Sequence, residues 1–319
     1  MAVARGGEVA VSQSGAGNVG SPDPVAEDDR RPSEAADQVE ERPPSPGIDI
    51  SKPHVARMYD YYLGGKHNYA ADRETAEQVL QAMPLLRPAA LANRRFLIES
   101  VQWLVREAGI RQFLDIGSGL PTQQNVHEVA QSIDPDAKVV YVDHDPLVRV
   151  HAEALLATSP NTIVVDGDLR DPAALLARPE IRGHLDFTKP IALLLVAVLH
   201  FIEDTQQAYD IVKTLCGALP SGSYLVLSHV LGDGQHKQAA DKVRSIYSRT
   251  NTGGYPRSKE EILGFFSGLT PVGGGLVHVS EWALPDGSGI AGGGGLTTIG
   301  DPAVLKDLPG MCGIARIDR

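Results

Sequence analysis

The sequence predicts an α/β protein with a mostly parallel β-sheet and helices on both faces of that sheet. Two observations support this fold class. From residue 112 onward, short apolar runs alternate with segments of helical periodicity, and repeated strand–helix units join parallel strands through crossover helices. One run, Ile191–Val198 (IALLLVAV), is apolar throughout, which is typical of a central strand that is buried on both sides.

The predicted elements follow one another in a regular order along this part of the chain. Strands are predicted at Gln112–Ile116, Lys138–Val142, Thr162–Val165, Ile191–Val198 and Tyr224–Ser228. Helical patterns lie between them at about 122–133, 146–157, 171–178 and 205–218. A capping box formed by Ser258 and Glu261 opens a further helix at Lys259–Phe266.

Three helical segments precede the first strand. Residues from Pro53 to Met83 predict a helix, a break at two glycines and a second helix, and a third helix is predicted at about 89–108. Residues 1–48 differ in composition, because nine acidic residues and four arginines give them −5 of the total charge of −11, with few large apolar residues. Such a segment cannot offset the entropy lost on ordering. We therefore expect a disordered acidic Gly/Ser/Pro-rich tail at 1–48 and a folded domain at 49–319, with a helical lid at 49–108 and an α/β core at 109–319.

The composition argues against several classes of function. A net charge of −11 does not suit a general nucleic-acid binder, which needs clustered Lys and Arg to neutralise phosphates. The two cysteines, Cys216 and Cys312, lie far apart and predict neither a disulfide framework nor a zinc site, so no metal is expected. The longest apolar run, Ile191–Leu199, has nine residues, too few for a membrane span, and no secretion signal is recognisable. We expect a soluble cytoplasmic protein.

The stretch Phe113–Val126 (FLDIGSGLPTQQNV) places a glycine turn between the first strand and a helical segment. Such a turn brings backbone N–H groups close to a ligand at the positive end of a helix dipole. The dinucleotide pattern G-x-G-x-x-G needs a third glycine, but Thr122 stands at that position. The acid two residues before the first glycine would repel a pyrophosphate, and it suits a ligand that carries an ammonium group. This D-x-G-x-G form favours S-adenosylmethionine over NAD, and the residues predicted to bind it here are Asp115, Gly117, Ser118 and Gly119.

Two further strands end in acidic residues at the same edge of the predicted sheet. Asp143 ends the second strand, where it can accept hydrogen bonds from both hydroxyls of a ribose. After the third strand, Asp168 can accept from an adenine amino group, while Leu169 offers a backbone N–H and an apolar wall. Each acid alone has an ordinary alternative as a cap or turn residue. Because open α/β sheets bind ligands at the carboxyl ends of their strands, the ordered series predicts an adenosine cofactor, and His144 and Ala197 complete the predicted cofactor-binding set.

Five stretches carry a family resemblance: ARMYDYYLGGKHNYAADRE, RQFLDIGSGLPTQQNVHEVAQ, VVYVDHDP, LLVAVLHFIED and ALPSGSYLVLSH. Together they resemble class I S-adenosylmethionine-dependent methyltransferases, and more narrowly an actinomycete S-adenosyl methyltransferase family whose substrates are uncharacterised. The resemblance covers about residues 50–285. It implies a Rossmann-like seven-stranded methyltransferase sheet, six strands parallel and one antiparallel, closed by strands near Leu276–Ser280 and Met311–Ile317. It also implies that the glycine turn lines the methionine end of the cofactor, with the ribose at Asp143 and the adenine beside Asp168 and Leu169.

Two histidines at strand ends are candidates for the chemistry. The fourth strand runs into AVLHFIED, and the Asp/Asn-Pro-Pro-aromatic sequence that amino-group methyltransferases often carry at this place does not occur there. His200 is the catalytic candidate, because a histidine can remove a proton or orient an acceptor hydroxyl. His229, on the fifth strand, is a substrate-binding candidate. A hydrogen-bonded structural histidine is the alternative at both positions.

The segment YDYYLGGKHNYAADR groups Tyr, Lys, His and Asn side chains around two glycines. In the fold that the resemblance implies, an N-terminal helical segment commonly covers the open edge of the sheet. We therefore predict substrate contacts from Tyr62, Lys66, Asn68 and Tyr69. The alternative is a pair of amphipathic helices that pack their aromatic side chains into the core.

Together these residues predict an S-adenosylmethionine-dependent methyltransferase that acts on a small-molecule acceptor, with neither nucleic acid nor a membrane as partner. Two other functions stay open, namely a non-catalytic S-adenosylmethionine-binding or regulatory protein and an NAD-dependent oxidoreductase. The sequence does not identify the acceptor, the methylated atom, the oligomeric state, or the roles of the tail and of the Gly287–Gly295 segment.

Overall fold

A computed structural model of the 319-residue chain describes residues 49–120, 124–145, 148, 159–250, 252–284 and 307–318. All of these residues belong to one compact unit, Pro43–Arg319. The predicted tail at 1–48, most of the predicted helix at 146–157 and the Gly287–Gly295 segment lie outside the described residues. The predicted division into a lid and a core stays a prediction.

Seven strands form one sheet: β1 Gln112–Ile116, β2 Lys138–Asp143, β3 Thr162–Asp166, β4 Ala192–Val196, β5 Ser223–Val230, β6 Thr270–His278 and β7 Gly310–Ile317. Their order across the sheet is β3-β2-β1-β4-β5-β7-β6. β7 pairs antiparallel with both β5 and β6, whereas the other neighbouring strands pair parallel. The predicted sheet of six parallel strands and one antiparallel strand is therefore confirmed.

The closing strand β6 begins earlier than predicted, at Thr270 and not near Leu276. Its middle is the glycine run Gly273–Gly275, and the register with β7 shifts between Val272 and Val277. Glycine is depleted in regular strands and often marks a bulge, so the first half of this strand does not show the alternating apolar pattern that identifies strands in a sequence.

The described residues include nine α-helices: α1 Val55–Tyr62, α2 Ala70–Ala82, α3 Leu86–Arg106, α4 Val126–Ile133, α5 Pro172–Leu176, α6 Pro179–His184, α7 Thr205–Gly217, α8 Lys237–Tyr247 and α9 Lys259–Gly264. The helical pattern predicted at 171–178 is in fact the short helix α5, and a second helix α6 follows it with Pro179 in its first turn. A proline is accepted there because the first N–H groups of a helix have no intrahelical partner. The sequence does not predict α6 or α8.

The hydrophobic core lies on both faces of the sheet, because successive side chains of a strand point to opposite faces. Leu193 and Leu195 of β4 belong to one apolar cluster with residues of α5, α6 and α7. Ala192 and Leu194 belong to a second cluster, which includes residues of α3 and α4. β4 is thus a central strand that is buried on both sides, as its uninterrupted apolar sequence predicts.

A third apolar cluster joins α1, α2, α3 and α8, and it includes Met58, Tyr62 and Val79. Beside it, the buried Asp72 carboxylate accepts hydrogen bonds from the backbone N–H groups of His54 (2.9 Å) and Tyr69 (2.8 Å). The same carboxylate pairs with the buried Arg57, with Nε and Oδ2 2.8 Å apart. This pair fixes the chain at the starts of α1 and α2. Among the helices of the described residues, none combines the length and the hydropathy that a bilayer-spanning helix needs.

Candidate active site

A cavity of about 340 Å³ opens at the carboxyl ends of the parallel strands. Residues at the ends of β1 to β5 form one side of it, and residues of α1 and α3 form much of the other. The strand order reverses between β1 and β4, and open α/β sheets bind ligands at such a switch point. The cavity lies at the edge where the sequence predicts the cofactor site.

The glycine turn after β1 forms part of the cavity wall. Gly117 has a φ of +74°, and its N–H donates to the carbonyl of Val142 at 2.8 Å. A Cβ at Gly117 would stand 2.2 Å from Cγ2 of Val198. Gly119 has a φ of +66° with open space where a Cβ would be, and Ser118 between the two glycines also lines the cavity. Only glycine meets both demands at position 117, a left-handed backbone and a close approach to Val198 in the turn after β4.

Asp115 lines the cavity from the end of β1 and is 6% exposed. Burial raises the pKa of Asp115 to about 7, the Arg94 guanidinium opposes this rise, and Asp143 adds to it. A carboxyl group with a raised pKa in a cleft is a common mark of a functional site. The charged form of Asp115 needs a positive partner in this position.

Asp143 ends β2, and its carboxylate is fixed by two backbone donors. Its Oδ2 accepts from the N–H of Gly119 at 2.9 Å, and its Oδ1 accepts from the N–H of Asp145 at 3.0 Å. Burial raises the pKa of Asp143, while these two hydrogen bonds lower it. His144 also lines the cavity, with Nδ1 3.6 Å from Oδ1 of Asp143. Each oxygen of Asp143 keeps a lone pair for a further donor.

The residues after β3 line the far end of the cavity. Leu169 is buried there, and Asp168 is partly exposed. Both oxygens of Asp168 accept from the Arg170 guanidinium, at 2.9 Å from Nε and 2.6 Å from Nη2, and this lowers the pKa of Asp168. Among the described residues, no group of three or more His, Cys, Asp or Glu side chains is placed to hold a metal ion.

β4 stops at Val196, two residues before its predicted end, because Ala197 turns the chain with a φ of +55°. A non-glycine residue in this region costs of the order of 1–3 kcal/mol and persists only where the surroundings hold it. Here Ser228 of β5 holds it, since its side-chain oxygen accepts from the N–H of Ala197 at 3.0 Å. Ala197 and the turn that follows it line the cavity.

His200 follows in a 3₁₀ turn, Leu199–Phe201, and its side chain lines the cavity. Its Nδ1 is buried and has no hydrogen-bond partner within the described part of the chain. Burial, together with the nearby Arg257 charge, lowers the pKa of His200 to about 3. The imidazole is therefore neutral at physiological pH. A base with so low a pKa removes protons poorly, but a neutral ring nitrogen can orient a hydroxyl group.

His229 also lines the cavity, but both of its ring nitrogens are engaged inside the protein. Nη1 of Arg257 donates to Nε2 at 3.0 Å, so Nδ1 carries the proton and donates to the carbonyl of Val230 at 2.8 Å. The buried Arg257 also donates to the carbonyls of Leu199 (2.9 Å) and Ile202 (2.7 Å). Arg257 thus ties the turn that carries His200 to β5. These contacts favour the structural alternative for His229.

One of the four predicted substrate-binding residues of the N-terminal segment reaches the cavity, namely Tyr62. Lys66 is exposed, Asn68 donates from its side chain to Oδ2 of Asp60 at 2.8 Å, and Tyr69 lies buried before α2. These three residues are not part of the cavity wall, because the chain turns away at the glycine pair that follows α1.

Several polar residues of the cavity wall are not singled out by the sequence, among them Tyr59, Asn93, Arg94, Tyr247 and Thr252. Asn93 donates to the Tyr59 hydroxyl at 2.9 Å, and the hydroxyls of Tyr62 and Tyr247 are 3.3 Å apart. Asn93 could have been identified by its place on the mostly apolar buried face of α3, four residues after Ala89 and four before Leu97. Nothing in the local sequence distinguishes Arg94 from its neighbour Arg95.

Two solved structures are similar to this chain over most of its length. A candidate methyltransferase from Thermobifida fusca YX is 40% identical with a TM-score of 0.77, and the match covers 86% of this chain and 99% of that protein. A DUF574-family protein from Streptomyces avermitilis is 39% identical with a TM-score of 0.76, covering 84% of this chain and 98% of that protein. No curated protein matches the chain. The sequence matches the S-adenosyl methyltransferase family over residues 41–317, and the chain belongs to that family.

Proposed function

We propose that this methyltransferase binds S-adenosylmethionine in the cavity at the strand ends and transfers the methyl group to a small-molecule acceptor in the same cavity. One observation carries the proposal. Residues at the ends of three successive strands line the same cavity. They are Asp115 and the glycine turn of β1, Asp143 of β2, and Asp168 and Leu169 after β3.

The chemistry of these groups fits the parts of the cofactor. The ionised form of Asp115 suits the α-ammonium group, which would remove the cost of an unpaired buried charge. The two remaining lone pairs of Asp143 suit the two ribose hydroxyls. Leu169 supplies an apolar wall for the adenine. The adenine amino group must displace an Arg170 contact to bond Asp168, because Arg170 occupies both oxygens of that carboxylate.

When bound, S-adenosylmethionine supplies a methyl group on a positively charged sulfur. The chain has to exclude water and align the acceptor, and alignment alone can supply about 7–11 kcal/mol. Apolar side chains such as Val198, Phe201 and Met311 line the half of the cavity beside β4, β5 and β7. The neutral His200 lines the same half, where its ring would orient an acceptor hydroxyl.

A small molecule is the acceptor class that the cavity suits best. Side chains of α1, α3 and α8 line the cavity together with the sheet edge, so the reacting atoms lie among side chains from several elements. A chain of net charge −11 has no general attraction for a phosphate backbone, so we expect no nucleic-acid partner.

The acceptor class is tested with S-adenosylmethionine that carries a labelled methyl group. The protein is incubated with separated small-molecule, protein and RNA fractions of an actinomycete lysate, and transferred label is measured in each. We expect label in the small-molecule fraction. Label that appears only in protein or RNA would overturn the acceptor class, and a failure to form S-adenosylhomocysteine in any fraction would favour a non-catalytic binding protein.

An NAD-dependent oxidoreductase is separated from this proposal by thermal unfolding with and without ligands. S-adenosylmethionine and S-adenosylhomocysteine should raise the unfolding temperature, because a ligand that binds only the folded state stabilises it. NAD should leave the temperature unchanged. Stabilisation by NAD alone would contradict the proposal.

A further inference from the structure

Arg94 of α3 is one of the charged residues of the cavity wall. Its side chain lines the same cavity as Asp115, Gly117 and Gly119. Its Nη2 donates to the carbonyl of Gln124 at 2.8 Å, so the guanidinium spans from α3 to the segment that follows the turn. The Arg94 side chain is half-buried.

The cavity wall near Asp115 carries both a negative group, the Asp115 carboxylate, and a positive group, the Arg94 guanidinium. Asp115 is buried, and the Arg94 charge acts on it strongly enough to oppose the rise of its pKa. The other arginine of the cavity wall, Arg170, is bonded to Asp168 beyond β3. Among the described residues, Arg94 is therefore the arginine that lines the cavity at the Asp115 end.

We propose that Arg94 binds the α-carboxylate of the methionine part of the cofactor, while Asp115 binds its α-ammonium group. This inference rests on the proposed function. An amino-acid zwitterion carries both charges on one carbon atom, so it fits a wall that presents a carboxylate and a guanidinium together. Arginine suits a carboxylate, because its planar N–H groups match the two oxygens.

The test compares two ligands on three proteins by calorimetry. The ligands are S-adenosylhomocysteine and its decarboxylated form, which keeps the ammonium group. The proteins are the native chain, Arg94→Gln and the matched control Arg95→Gln, which removes the same charge from the neighbouring position of α3. Arg95 pairs with Glu99 at 2.6 Å and is not part of the cavity wall.

On the native chain and on Arg95→Gln, loss of the ligand carboxylate should weaken binding about tenfold to a hundredfold, as expected for a hydrogen bond between charged groups. On Arg94→Gln, the two ligands should bind within about twofold of each other, because the partner of the carboxylate is gone. The full ligand should bind Arg94→Gln about tenfold to a hundredfold more weakly than it binds the native chain.

Two results would overturn the inference and leave the proposed function standing. One is native binding of the two ligands with equal affinity, a result that does not depend on whether the variant folds. The other is the same effect of decarboxylation on Arg94→Gln as on the native chain. Native protein that binds neither ligand would instead reject the proposed function itself.

Discussion

Replacing Asp115 by asparagine should stabilise the ligand-free protein at neutral pH and above while it weakens cofactor binding. Asp115 is 6% exposed at the end of β1. Burial raises its pKa from 3.8 to about 7, against the opposing effect of Arg94 and with a contribution from Asp143. An amide of nearly the same shape carries no charge that burial can penalise.

The magnitude follows from the displaced pKa of Asp115. The carboxyl group ionises near 3.8 in the unfolded chain and near 7 in the folded protein. Each unit of pKa corresponds to 1.36 kcal/mol, so ionisation of Asp115 costs the folded state about 4 kcal/mol once the pH is above both values.

The sign of the pH dependence is fixed by which state holds the proton. Below about pH 4 both the folded and the unfolded chain hold the Asp115 proton, so ionisation of Asp115 no longer affects the free energy of unfolding. Between about pH 4 and pH 7 only the folded state holds it, so the stability of the native protein falls as pH rises. The cost is about 1.5 kcal/mol at pH 5 and about 4 kcal/mol at pH 8. The asparagine variant has no carboxyl group to ionise at this position. Its free energy of unfolding relative to that of the native chain should therefore rise by about 2.5 kcal/mol between pH 5 and pH 8.

Urea unfolding of the ligand-free native chain and of Asp115→Asn, measured from pH 5 to pH 8, tests this directly. Titrating groups that do not interact with Asp115 are common to both proteins and cancel in the difference between their free energies of unfolding. A difference that stays constant, or that shrinks as pH rises, would refute the raised pKa of Asp115.

The same variant should bind S-adenosylhomocysteine about tenfold or more weakly at pH 8, because the ligand ammonium group loses its charged partner. The affinity of the native chain should fall below about pH 7, where Asp115 takes up a proton, and the variant should lack that part of the pH dependence. Equal affinities of the two proteins at pH 8 would show that Asp115 does not contact the ammonium group.

Three further outcomes are expected. Asp72→Ala should lower the free energy of unfolding by about 3–5 kcal/mol in urea, because it leaves the buried Arg57 without its carboxylate. Gly117→Ala should cost at least about 1–2 kcal/mol in the same assay, since its backbone is left-handed and its Cβ would press on Val198, and Val198→Ala in the same chain should recover part of the loss. The His200 ring should stay neutral down to about pH 5 in an NMR titration, because burial lowers its pKa to about 3.

For each of these three predictions, one result would contradict the reasoning. A loss below about 1 kcal/mol for Asp72→Ala would mean that water reaches the Arg57 pair. An unaffected Gly117→Ala chain would mean that the turn relaxes freely. Titration of His200 near its ordinary value would place its ring in water and remove the reason for its neutral role.

The sheet and the strand-end wall of the cavity could be predicted from the sequence because both depend on local patterns. Apolar runs reveal parallel strands, and residues at the carboxyl ends of such strands converge in any open sheet. Asp115, Asp143 and Leu169 therefore line one cavity although they are far apart in the chain. The end of β4 could not be predicted from its local sequence, because it depends on a hydrogen bond between Ala197 and Ser228.

Other residues in and around the cavity could not be predicted in the same way, because they meet through long-range contacts. Arg94 resembles any helical arginine until α3 is packed beside the glycine turn. The structural role of Arg257 depends on its hydrogen bonds to the carbonyls of Leu199 and Ile202, which lie more than fifty residues earlier in the chain. Lys66 is predicted to contact the substrate because its neighbours in the sequence are polar. In the structure it follows the glycine pair and is exposed to solvent.

A crystal structure of the protein with S-adenosylhomocysteine would test the cofactor site most directly. Both ribose hydroxyls should lie within hydrogen-bond distance of the Asp143 carboxylate, with the amino-acid end beside Asp115 and the adenine against Leu169. A ligand bound away from the ends of β1, β2 and β3, or turned end for end in the cavity, would contradict the site as described.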